Sequence, residues 1–196
     1  VERLVGIYND VIDSKLLSVE EYARSTNESE RDVRHRVEVA ELMVEFLEFI
    51  NAPKQFYIVR DLQIAATLEE LPSLLRKART EDEKEDIKLA VFANIMMRNT
   101  GDLRVFVRGI KAVVGTDYQD EYLAEQQELS AQIIEQLPRH VTTEAIRDVV
   151  RANTEISGAM ERSMDKALTK VRKNETRNRP IQLAEKATTF LESMDQ

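Results

Sequence analysis

Helix-start signals recur along this chain, and they constrain its fold more than any other feature. Ser18-x-x-Glu21, Thr67-x-x-Glu70 and Thr80-x-x-Glu83 each have the spacing of a capping box. In that motif a Ser or Thr oxygen accepts from a backbone N–H three residues on, and an acidic side chain reaches back. Ser29-x-x-Asp32 is a shorter-armed relative. Apolar residues then follow at helical spacing, as in Val39, Leu42, Met43, Phe46, Phe49 and Ile50, and again in Ile87, Val91, Phe92, Ile95 and Met96. With only five Gly and four Pro in 196 residues, and 33% charged residues, the chain is poor in the turn residues that sheets need. The expected fold class is therefore all-α, a multi-helix domain followed by long C-terminal helices, and β-sandwiches and barrels are set aside.

The stops divide the chain. Asn51-Ala52-Pro53 ends one helix and a short apolar segment from Phe56 to Ile64 follows. Asn99-Thr100-Gly101 stops the helix that begins at Thr80, and Gly115 stops the next, Asp102 to Val114, because Gly takes the left-handed cap conformation at little cost. The reading is a first domain over 1–115 and a C-terminal helical region over 116–196. In the latter, helices are expected from about Asp117 to Gln136, stopped near Pro138, and from about Thr142 to Lys173. The second carries Ile146, Val149, Val150, Ile156, Met160, Met164, Ala167, Leu168 and Val171 on one side, over roughly 45 Å. Lys173 to Arg179 reads as a polar connector. Pro180 suits the first position of a last helix bearing Ile181, Ala184, Ala187, Phe190, Leu191 and Met194.

The most informative stretch is SVEEYARSTNESERDVRHRV, Ser18 to Val37. A helix-turn-helix needs a small residue where its helices cross, a turn residue that tolerates a left-handed backbone, and apolar anchors in the second helix. Ala23, Asn27, Val33 and Val37 fill these places, and Ser29 caps the second helix. Glu30, Arg31, Arg34, His35 and Arg36 then lie on a candidate recognition helix, with Ser29, Arg31, Arg34 and His35 expected to read or anchor to DNA and Arg24 or Arg36 to assist at phosphates. Arg pairs bidentately with the major-groove edge of guanine and also binds phosphate, while Ser29 and the backbone N–H groups beside it suit a phosphate at a helix start. The predicted DNA-binding residues are Arg24, Asn27, Ser29, Arg31, Arg34, His35 and Arg36.

From Ser18 to about Val114 the chain resembles the central DNA-binding domain of ParB-type partition proteins. The resemblance rests on Ala23-x3-Asn27-x-Ser29-x3-Val33-x3-Val37, with Asn27 where that family usually has Gly. Leu42 to Ile50 and Gln55 to Leu62 are similar to a divergent branch of partition-like proteins. The resemblance implies sequence-specific binding of double-stranded DNA by a homodimer that dimerises through its C-terminal segment. It also implies a role in chromosome or plasmid segregation and a cytoplasmic, nucleoid-associated location. Family members carry an N-terminal nucleotide-binding domain with a Gly-Glu-Arg-Arg motif. That motif does not occur here, so Val1 to Asp13 would be the helix leading out of such a domain, and no nucleotide site or cofactor is expected. The first residue, Val rather than Met, fits a trimmed product or a piece of something longer.

Other chemistry finds less support. A net charge of −8 argues against nonspecific binding of nucleic acid or anionic lipid along the whole surface, though not against one positive face. Zero Cys excludes disulfides, thiolate zinc and thiol catalysis, and favours an intracellular setting. No apolar run approaches the roughly 18 to 20 residues of a membrane span. Asp32-x-x-His35 has the spacing of a bundle metal site, but His140 offers no second copy. Carboxylate groups such as Glu69/Glu70 and Glu81/Asp82/Glu83 sit at helix starts, where the helix dipole accounts for them. With no Gly-rich phosphate loop and no well-placed His, the chain reads as a non-enzyme. Arg162, Lys166, Lys170, Arg172, Lys173, Arg177 and Arg179 make the late region basic, as a helix C-terminus and solvated connector would be. Met96, Met97, Met160 and Met164 read as core filler. Two alternatives remain: a helix-turn-helix transcriptional regulator, and a helical protein-interaction module in which the motif is incidental.

Overall fold

The computed structural model describes the backbone of residues 1–97 and 103–194, and the side chains of 1–97 and 106–177. All regular structure among the described residues is helical. Helix α1 (Glu2–Ile7) continues into a π-helical turn, Tyr8–Asp13. There follow α2 (Val19–Thr26), α3 (Glu30–Phe49), α4 (Tyr57–Asp61), α5 (Ala65–Leu75), α6 (Glu81–Met97), α7 (Leu103–Val113), α8 (Gln119–Ile134), α9 (Thr143–Ala152) and α10 (Thr154–Met194).

Local chemistry explains several boundaries. Ser18 and Glu21 form the full reciprocal box: Glu21 N–H donates to Ser18 Oγ at 3.2 Å and Ser18 N–H to Glu21 Oε2 at 2.8 Å. Thr80 accepts from Glu83 N–H at 3.1 Å, but the Glu83 carboxylate reaches one residue further back, to Arg79 N–H. Gly115 ends α7's segment at φ 86°, as expected for a left-handed cap. The stop expected at Asn99-Thr100-Gly101 lies outside the described residues, as do the side chains of the last apolar set, Ile181 to Met194.

Three expectations are corrected. Thr67 does not cap a helix: α5 starts at Ala65, and Thr67 is buried within its first turn. The helix expected from Thr142 to Lys173 breaks at Asn153. There the Asn153 side-chain amide donates to Val149 O at 2.8 Å and to Gln136 Oε1 at 2.7 Å, so a side chain competes with the helical backbone pattern. Lys173 to Arg179 is not a connector, and Pro180 does not begin a new helix, because α10 runs through both. The segment is polar, but its Lys, Arg and Glu are good helix formers and it contains no Gly.

One hydrophobic cluster extends from Leu4 to Val171. Helix α3 packs against α1, α2 and α5; α5 against α7; α6 against α8; and α10 against α7 and α8. The late apolar stripe finds its partner within the chain, since Met160, Met164, Ala167 and Val171 are all buried. Gly109 of α7 permits close approach, as a Cβ there would meet Met164 Sδ at 3.3 Å. Met96 and Met97 are core residues, as read from sequence.

Glu121 ties α8 to α10. Hydrogen bonds from Lys170 and then Lys166, the latter at 2.9 Å, hold its carboxyl at about 2, below the usual 4.5. A carboxyl depressed in the folded state binds fewer protons there than in the unfolded chain. Its stabilisation is therefore full above about 4.5 and is lost as pH falls toward 2. Glu121→Gln is expected to flatten the acid limb of the stability curve between pH 5 and 2, as read by thermal melts across that range, with little change in its neutral-to-alkaline shape.

Candidate nucleic-acid interface

The turn between α2 and α3 has the geometry that its residues require. Asn27 sits at φ 55° and ψ 43°, the left-handed region, and its N–H and that of Glu28 close onto Ala23 O. Ala23 is buried at the crossing, and Val33 of α3 is fully buried, while Val37 packs at the edge of the core. Asn is among the few L-residues that adopt this conformation at low cost. Asn27→Gly is expected to leave stability nearly unchanged, whereas Asn27→Val should lower it by roughly 1–2 kcal/mol through left-handed strain. Denaturant melts of the two variants compare them directly.

The predicted site residues share this element but differ in their partners. Arg31 and Arg34 are exposed on the first two turns of α3, and His35 is half-buried beside them. Arg34 pairs with Glu30 at 3.2 Å, and Arg24 of α2 with Glu20 at 2.8 Å, both i,i+4 contacts in solvent. No carboxylate partner of Arg31 is found among the described residues. Arg36 turns back to pair with Glu28, which also lies 3.8 Å from Arg3, so its guanidinium fastens the turn to α3. The Ser29 hydroxyl accepts from Asp32 N–H at 3.1 Å and donates to Asp32 Oδ2 at 2.7 Å, which places a carboxylate at the helix start where an incoming phosphate would lie.

A solvent-open channel of about 1030 Å³ runs along this face, lined by Arg31, Arg34 and His35, by the carboxylates of Glu30, Asp32 and Glu38, and by Arg76. Arg76 follows the last residue of α5 and contacts Glu38 at 3.3 Å. Sequence reading missed it, because only the packing of α3 against α5 brings residues 38 positions apart together. Among the described residues, no group of three or more His, Asp or Glu side chains is arranged to hold a metal ion. Asp32 is engaged with Ser29, and His140 is exposed on a loop far along the chain from His35. No helix among the described residues is long and apolar enough to cross a membrane.

Fold and site together define an all-helical protein with a helix-turn-helix on its surface. The family model described as "Uncharacterized protein domain (DUF2202)" matches residues 13–137, more than half of the chain, and the chain belongs to that family. The matched stretch contains α2 through α8, and so the whole helix-turn-helix and Arg76. No curated protein and no solved structure matches the chain.

Proposed function

We propose that this chain binds double-stranded DNA sequence-specifically as a ParB-like partition protein, placing the start of α3 in the major groove and acting as a homodimer. The observation that carries the reading is the conjunction at one bend: left-handed Asn27 between buried Ala23 and buried Val33, with Arg31 exposed on the helix that follows and without a carboxylate partner among the described residues. Arg31 is the base-reading residue. Arg34 and Arg24 serve once they leave Glu30 and Glu20, which they can do because exposed i,i+4 pairs are worth only about 0.3–0.5 kcal/mol. A guanine contact worth about 1–3 kcal/mol outweighs such a pair. His35 sits along the same channel, and Ser29, Asn27 and Arg36 shape the element rather than reading bases. Partition is carried by the family resemblance alone, and a transcriptional regulator would use the same surface.

A second reading, a helical protein-interaction module, is favoured by the carboxylate partners that Arg24, Arg34 and Arg36 already have and by the net charge of −8. Titrating a labelled random duplex at low and moderate salt separates the two. DNA contact predicts binding at low salt that falls steeply as salt rises. Absence of binding at low salt favours the interaction module.

A further inference from the structure

The exposed stripe along α3 changes sign. Its first turns carry Arg31, Arg34 and His35, with Glu30 paired to Arg34 and Asp32 to Ser29, and are succeeded at helical spacing by Glu38, Glu41, Glu45 and Glu48. Beside the acidic half lies a second groove, of about 610 Å³, between α3, α5 and α6. Glu38, Glu41, Glu45, Glu81 and Glu85 line it, against Arg76, Lys84 and Lys88. Lys88 is taken up by Glu45 and Glu85, and Lys84 by Glu81. Burial first, then the neighbouring carboxylates of Glu45 and Glu38, push the Glu41 carboxyl upward. Arg76 and Glu38 belong to both grooves and form the border between them.

A helix lying in a major groove about 12 Å wide has a phosphate backbone along each flank. In the channel beside the start of α3, Glu30 is held by Arg34 and Asp32 by Ser29, and the lining also presents the Arg76 guanidinium, which is 63% exposed. The acidic groove beyond Glu38 repels such a backbone. From this we infer that Arg76 is a phosphate anchor supplied by α5, and that Glu38, with the acidic row behind it, ends the DNA track and so fixes how far along α3 the duplex can lie. This inference rests on the DNA-binding reading above and specifies that site. Arg76 reaches phosphate by exchanging Glu38 for it, and an exposed ion pair of this kind contributes little.

The test is the affinity of the full chain for one labelled duplex, measured from low to moderate salt for wild type, Arg76→Ala, Arg76→Lys and Glu38→Gln. Arg76→Ala is expected to weaken binding of all duplexes alike, by about 3- to 10-fold, and to flatten the log–log salt slope by about 0.9. Arg76→Lys should keep the wild-type slope. Glu38→Gln should tighten binding by about 2- to 3-fold, because it removes a competing carboxylate. All are surface changes, and thermal melts should agree to within a few degrees. An unchanged slope in Arg76→Ala, or a change of base preference instead of a uniform loss, overturns the inference while leaving DNA binding intact. If wild type binds no duplex at low salt, the DNA reading itself falls and this inference with it.

Discussion

Phe46→Ala is expected to remove about 3–5 kcal/mol of stability, the usual cost of truncating a fully buried aromatic residue. Phe46 is fully buried in α3, and its ring meets that of Phe92 in α6 edge-on, with centroids 5.5 Å apart and an interplanar angle of 75°. The substitution opens a cavity where α3 and α6 meet and also removes an aromatic pair worth about 0.5–1.5 kcal/mol beyond its area. Because a chain of this size has roughly 5–15 kcal/mol of total stability, about a fifth of it or more is at stake. The melting temperature should fall by about 6–20 °C. Phe49 also contacts Phe92, at 5.7 Å, but is partly exposed, so Phe49→Ala should cost less. Equal, small shifts in both variants would mean that α3 is not anchored through this aromatic cluster.

Arg31→Ala is expected to act on recognition and leave folding intact. The side chain is exposed and without a carboxylate partner among the described residues, so its removal breaks no ion pair within them. If it reads a guanine edge, its loss costs about 1–3 kcal/mol on the preferred duplex, roughly 5- to 150-fold, and relaxes preference at one position. Arg34→Ala should cost less, because wild-type binding must first break the exposed Arg34–Glu30 pair, worth about 0.3–0.5 kcal/mol, and the variant has no such pair to break. Affinities for the preferred duplex and its single-base variants measure both effects. A uniform loss across all sequences would reassign Arg31 to phosphate. No loss at all would remove it from the interface.

Features encoded within a few residues were legible in the sequence. Ser18 and Glu21 cap α2 three positions apart, and Asn27 supplies a left-handed turn by its own preference, so neither depends on a distant partner. The all-helical class was readable for the same reason, as was the burial of the Met160 to Val171 stripe, although not which helices would cover it. What failed depended on distance. The break at Asn153 is stabilised by Gln136, 17 positions away in the chain, and nothing local to Asn153 announces it. Polarity at Lys173 to Arg179 was mistaken for a loop, because solvation and helix propensity are separate properties that happened to point in different directions. In the site, Arg31 is exposed as read, but Arg36, read as an assisting phosphate contact, is half-buried and engaged. Glu28, eight residues earlier, captures it across the turn. Arg76 had no local signal, since it reaches the face of Arg31 and Arg34 only through the contact between α3 and α5.

Selection of bound duplexes from a random pool tests the central claim most directly. A dimer presenting two copies of α3 to successive major grooves should enrich an inverted repeat, with half-site centres about 34–36 Å apart or a multiple of that spacing. A pool that emerges unenriched after repeated rounds at low salt would contradict recognition of DNA by this helix.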